Sequence, residues 1–153
     1  MSNPIISKLT SNDKQNVFDL IQNNKVMNFL GPRRALTDDE ALNWFKKEFN
    51  EQSRFTFRTA DTLELIGFCG ISEVDRVDDF AYFLREKFWG KGFATQMCQI
   101  AIKRLKQNFD FDEVRVFIAD DNIGSLKLAN KLNWIPIQKD INEFETGTVF
   151  HIR

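Results

Sequence analysis

Tyrosine and histidine each occur once in this 153-residue chain, and cysteine twice. Cys69 and Cys98 sit inside apolar runs, without the CxxC pairing or neighbouring histidines that metal binding requires. They read as reduced core residues, and no metal site is expected. The lone His151 falls in the last strand-like segment, where a structural or exposed role outweighs proton transfer. Sixteen phenylalanines against one tyrosine and three tryptophans make a greasy core with few hydroxyl groups for chemistry. The N-terminal stretch lacks a basic region followed by an apolar one, and no window approaches the roughly 20 apolar residues of a spanning helix. A soluble, cytoplasmic protein with no membrane partner is expected. Charge of one sign is also missing: 21 Lys plus Arg against 22 Asp plus Glu leave a net charge of -1. There is thus no global pull towards nucleic acid, and any anion site must be local.

What remains is an ordinary globular composition, 42% apolar and 28% charged, at a length that suits one domain over residues 1–153. Periodicity divides the chain into alternating strands and helices. Ile5 to Leu9 reads as a strand, Ser11 as a helix N-cap, and Val17, Leu20 and Ile21 as one buried face. Thr37-Asp38-Asp39-Glu40 is a capping box for a helix that buries Ala41, Leu42, Phe45 and Phe49. Period two then sets in, giving a hairpin through Phe55, Phe57 and Leu63 to Ile71, and a third strand from Asp79 to Leu84. A long helix follows, with a core stripe of Ala94, Met97, Cys98, Ala101, Leu105 and Phe109. The remainder reads as a strand at Glu113 to Ile118, a helix at Ser125 to Leu132, and strands near Trp134 to Gln138 and Thr146 to Ile152. Three consecutive strands favour antiparallel pairing, and the later strand-helix-strand step favours a parallel pair. The expected architecture is α/β: a mixed, mostly antiparallel sheet of about six to seven strands, with helices on both faces.

The stretch from Tyr82 to Thr95 carries the most chemical information. A strand runs into Trp89-Gly90-Lys91-Gly92 and at once into a helix beginning Phe93-Ala94-Thr95. Backbone N–H groups at a helix start have no intrahelical acceptor and sit at the positive end of the dipole. Gly90 and Gly92 permit positive φ and close approach of a ligand, and Lys91 adds a cation, so the turn is an anion cradle. Neither the dinucleotide fingerprint nor the nucleotide-triphosphate loop fits its spacing.

Trp89-Gly90-Lys91-Gly92-Phe93-Ala94-Thr95 resembles the acyl-coenzyme A loop of the GNAT superfamily of N-acetyltransferases. The likeness is to the subgroup that includes the ribosomal-protein-alanine N-acetyltransferases. Asn122-x-x-Ser125 with Leu128 to Trp134, Val26-Met27-x-Phe29-Leu30, and Leu65-Ile66-Gly67-Phe68-Cys69-Gly70 match in the family's order. The resemblance implies the GNAT fold, with a splay between the fourth and fifth strands. It also implies amides from Gly90 to Thr95 on the pyrophosphate of acetyl-coenzyme A (acetyl-CoA), and the pantetheine arm along the strand ending at Phe83 and Leu84. The backbone N–H near Leu84 is the implied oxyanion donor, and Asn122 and Ser125 join the coenzyme site. Lys127 and Lys131 face either the ribose phosphate or solvent.

Two departures from the family pattern matter. Many members place a thiolate-protonating tyrosine where this chain has Ala129, and the subgroup's alternative is the serine aligned with Ser125, which also fits a capping role. The Leu-Gly-Phe ending is Leu132-Asn133-Trp134, with asparagine suited to a left-handed helix cap. Acetyl transfer needs a neutral amine. At pH 7 only about a thousandth of a lysine-like amine is neutral, against about a tenth of an α-amine. Asp79, then Glu73, are the candidate bases, although Asp75, Asp78 and Asp79 also read as a solvated loop or as attraction for a cationic substrate. The expected activity is acetyl transfer to a primary amine, on a small molecule or a protein N-terminus, by a monomer or homodimer without metal. A non-catalytic acyl-CoA binding or sensing module is the alternative.

Overall fold

The computed structural model describes residues 2–74 and 76–153, so Asp75 lies outside the described residues. The chain divides into two compact units. One holds the chain up to Gly70 and Tyr82–Ala101, the other Ile71–Ala81 and Ile102–Arg153. No helix among the described residues is long and apolar enough to cross a membrane.

The first unit opens with β1 (Ile5–Ser7) and a 3-10 turn, Ser11–Asp13, that runs directly into α1 (Lys14–Ile21). The cap is Thr10 rather than Ser11: the Thr10 N–H donates to Asp13 Oδ2 at 2.7 Å, closing the turn one residue earlier than the sequence suggests. The predicted capping box forms at α2 (Asp38–Glu51), where Thr37 Oγ1 accepts the Glu40 N–H at 3.2 Å and Glu40 Oε1 accepts the Thr37 N–H at 2.9 Å. Val17, Leu20 and Ile21 of α1 pack with Ala41 and Phe45 of α2 and with Leu65 and Phe68 in one apolar cluster, bordered by Trp44 and Phe83.

Strand β2 (Phe55–Arg58) pairs antiparallel with β1 and with β3 (Leu65–Val74). Arg58 donates to both Asp13 carboxylate oxygens, at 2.6 and 2.7 Å, a buried fork that ties β2 to the start of α1. Strand β4 (Val77–Leu84) brings Phe83 to 5.6 Å from Phe68 and 6.0 Å from Trp44, ring centre to ring centre. Helix α3 (Phe93–Leu105) buries Met97, Cys98 and Ala101 fully. The core stripe is shorter than the sequence suggests. The helix closes in turns after Leu105, and Phe109 is 37% exposed. Cys69 and Cys98 are free and buried; burial and the neighbouring Cys98 thiol push the Cys69 thiol up.

The second unit contains the start of β4, β5 (Val114–Ala119), α4 (Ile123–Lys131), β6 (Ile135–Ile141) and β7 (Thr146–His151). β7 lies antiparallel to both β5 and β6, and a Cβ at Gly147 would overlap the Ile118 carbonyl and stand 2.6 Å from the Phe117 ring, so β5 and β7 need glycine there. Phe80 meets Trp134 edge to face at 5.9 Å. Every residue of β6 is exposed, and its ladder shifts register between Pro136 and Gln138. Asn133 adopts φ 59°, the left-handed cap expected of it, and the Trp134 N–H returns to Ala129 O at 2.9 Å.

Among the described residues, hydrogen bonding orders seven strands as β1-β2-β3-β4-β5-β7-β6, with residues of β3 and β4 falling in both units. β4 and β5 are parallel, with register pairs Asp78↔Val114 and Asp79↔Arg115. The sheet is therefore mixed, as expected.

Candidate active site

Backbone packing decides how β4 ends. A Cβ on Gly67 would overlap the Phe83 carbonyl oxygen and stand 2.6 Å from Leu84 Cα, so only glycine admits this approach of β4 to β3. The described peptide bonds include no cis form. With Phe83 O turned towards Gly67, the Leu84 N–H, on the opposite side of the trans peptide, faces away from β3.

Arg85 locks the strand end. Its N–H donates to Ile66 O at 2.8 Å, its Nε to Asp19 Oδ2 at 2.9 Å, and its Nη1 to Glu64 Oε2 at 2.9 Å and Leu65 O at 3.0 Å. Glu86 accepts from Asn23 Nδ2 and Lys25 Nζ, each at 3.0 Å. Phe88 is buried edge to face against Phe93, 5.6 Å between ring centres, and the Lys91 ammonium stands 5.9 Å from the Phe88 ring. With Lys87 also paired to Glu64, the segment that leads out of β4 is held by four ion pairs among the described residues and a ring contact before the glycines begin.

The loop itself is braced once more. Trp89 donates its indole Nε1–H to Leu84 O at 2.9 Å while the residue stays 42% exposed. Gly90 and Gly92 have φ of 73° and 83°, and nothing lies within 4 Å of where a Cβ would stand on either. The Gln96 N–H donates to Gly92 O at 3.3 Å, so the amides of Phe93, Ala94 and Thr95 precede the first intrahelical bond of α3. Exposed Lys91 lies between the two glycines. Trp89 to Thr95 therefore form one continuous cradle with the dipole end of a 13-residue helix behind it.

The second unit holds the remaining candidates. Asp79 is half-buried on β4, and its Oδ1 is buried 3.9 Å from Arg115 Nε, too far for a hydrogen bond. Burial pushes the Asp79 carboxyl up to about 6, against the opposing pull of the Arg115 charge and the Phe117 N–H. Glu73, near the end of β3, is exposed. Asn122 is the N-cap of α4 and its Oδ1 accepts the Ser125 N–H at 3.3 Å, so this asparagine does capping work; Ser125 is half-buried. Lys127 and Lys131 are exposed and Ala129 is fully buried, while Tyr82, in the first unit, is half-buried on β4. His151 Nε2 lies 3.7 Å from Asp112 Oδ1.

Sequence reasoning missed Gly67 as a packing requirement, Arg85 as the lock and Arg115 as the neighbour of Asp79. An arginine inside the otherwise apolar run Val114-Arg115-Val116-Phe117-Ile118 was the available signal for the last.

Residues 5–134 match the family model described as an acetyltransferase (GNAT) domain. An uncharacterized N-acetyltransferase, p20, of Bacillus licheniformis is 29% identical over 87 residues, 55% of this chain and 49% of that protein, so the matched region spans about half of the relative's length. Among solved structures, a GNAT-family acetyltransferase from Bacillus anthracis aligns over 97% of this chain and 92% of its own, with a TM-score of 0.78 at 15% identity. The spermidine N-acetyltransferase of Vibrio cholerae, solved with CoA and spermine, aligns over 98% and 95%, with a TM-score of 0.75 at 18% identity. At such identities the structures speak for the fold, and the family model covers most of the sequence, including the glycine loop: the chain belongs to the acetyltransferase (GNAT) domain family.

Proposed function

We propose that the chain transfers an acetyl group from acetyl-CoA to a primary amine. The observation that carries this reading is the pair of positive-φ glycines, open above their Cβ positions, at the free N-terminal amides of α3. Amides from Gly90 to Thr95, with Lys91 beside them, suit a linked pair of phosphates. Trp89 holds the loop to the end of β4, and the extended backbone at Phe83 and Leu84 offers its polar groups to the pantetheine arm. The Leu84 N–H, turned away from β3 by the Gly67 contact, donates to the thioester oxygen as charge develops there.

The amine attacks the thioester carbon directly in a ternary complex, without a covalent acyl-enzyme. Asp79 takes the proton that the amine loses. Its carboxyl, raised to about 6, is ionised at neutral pH yet basic enough to accept. Exposed Glu73 is the second candidate. Ser125 or water returns a proton to the departing thiolate. The acceptor is a protein or peptide α-amine, for which deprotonation is least demanding, or a small-molecule amine. The spermidine N-acetyltransferase among the structural neighbours illustrates the latter class.

Buried Ala129, where many family members carry tyrosine, favours the second reading, an acyl-CoA binding or sensing module. Thiol release from saturating acetyl-CoA across peptide N-termini, amino acids and polyamines, with mass spectrometry of the products, separates the two. Acetylated product from at least one amine is expected; tight coenzyme binding with no turnover of any amine would favour the module.

A further inference from the structure

Asp79 and Arg115 face one another as register partners of the parallel β4–β5 ladder, which puts both side chains on the same face. A structural ion pair would close. Arg58 and Asp13 of this chain do so, with two buried hydrogen bonds at 2.6 and 2.7 Å. Arg115 Nε and Asp79 Oδ1 instead stop at 3.9 Å, both atoms buried and both without a hydrogen-bond partner. The 21% of the Asp79 side chain that remains accessible therefore lies away from Oδ1. The arginine supplies charge at the buried oxygen without a hydrogen bond, and the backbone N–H of Phe117 also favours the charged carboxylate.

We propose that Arg115 is a positioning residue for proton removal from the acceptor amine: it stands at the buried Oδ1 of Asp79, so that the accessible part of the carboxylate is the part turned to the proton. This rests on the assignment of Asp79 as the base. The other charged groups nearby fit the division of labour. Asp78 precedes Asp79 on β4, exposed Glu73 lies on β3, and His151 of β7 pairs in register with Arg115 while facing Asp112, which precedes β5. Arg115 is the cation paired with the buried carboxylate oxygen. Burial of Asp79 works against its ionisation and Arg115 works for it.

The test is the pH dependence of kcat for acetyl transfer in the wild type, Asp79→Asn, Arg115→Met and Arg115→Lys. The wild type should lose activity as pH falls through about 6, the value that burial gives Asp79. Asp79→Asn should abolish that limb and lower kcat by about a hundredfold or more. Arg115→Met should move the limb upward by about one pH unit or more, and Arg115→Lys, which keeps a cation, by less. A 13C NMR titration of the aspartate carboxyls, with Asp79→Asn assigning the resonance, reads the same displacement without turnover, and Arg115→Gln serves if the methionine variant does not fold. A limb that depends on Asp79 but stays put in Arg115→Met and Arg115→Gln overturns the role of Arg115 alone. A limb that survives in Asp79→Asn removes the base itself, and the proposal with it.

Discussion

As the proposed base, Asp79 sits where catalysis and stability would pull in opposite directions. Its carboxyl titrates near 6 in the folded chain against about 3.8 when unfolded. Between those values the folded state holds a proton that the unfolded chain has released, so stability falls as pH rises through the window. Above it the burial of the charge costs up to about 3 kcal/mol. Asp79→Asn, of nearly equal size and uncharged, should therefore raise the urea midpoint at pH 8 by an amount worth about 1–3 kcal/mol and leave it almost unchanged at pH 4. Equal midpoints at pH 8 would show that the group is not desolvated. Asp13 behaves in the reverse sense. Burial raises it, but the Arg58 fork and the Thr10 bonds outweigh burial and hold it low, so its contribution is lost only as pH falls below the ordinary carboxylate range. Two aspartates beside two arginines thus differ because one pair is hydrogen-bonded and the other stays open.

At the scale of elements, the approach of β4 to β3 sets the direction of the backbone groups at Phe83 and Leu84 to which the proposed chemistry is assigned. Gly67→Ala should force Phe83 and Leu84 away from β3, destabilising the fold by about 1–3 kcal/mol and lowering kcat more than it raises KM for acetyl-CoA, because the Leu84 N–H moves while the loop amides stay. An alanine variant with wild-type kcat would contradict the oxyanion assignment. Much at this scale is legible in sequence. The capping box at Thr37 to Glu40, the glycine loop and the left-handed Asn133 are local chemistries, written within four or five consecutive residues. The pairing of Asp79 with Arg115 is not, because it depends on which strands become neighbours and in what register, and periodicity carries neither. The same holds for Gly67, whose partner lies across a hairpin. Phe109 misled for another reason: it continues the helical spacing, but the chain leaves the helix before reaching it. β6 has strand composition without a buried face, since its Ile137 and Ile141 are 59% and 70% exposed.

At the scale of the whole molecule, the chain's net charge of -1 supplies no long-range attraction for an anionic coenzyme. In the proposed reading, binding comes instead from groups fixed in place: amides at the α3 terminus, one lysine, and a loop braced by Trp89 and Arg85. The family's fold accounts for the scaffold. The most direct test is calorimetric titration of acetyl-CoA into the wild type, Gly92→Asn and Gly92→Asp, two substitutions of equal size at a position with φ 83° and open space before it. If the amides gather the phosphates, the wild type binds, asparagine weakens binding through its bulk, and aspartate weakens it at least about tenfold further, about 1.4 kcal/mol, through charge. Equal affinities for the aspartate variant and the wild type would contradict the assignment of this loop to the coenzyme.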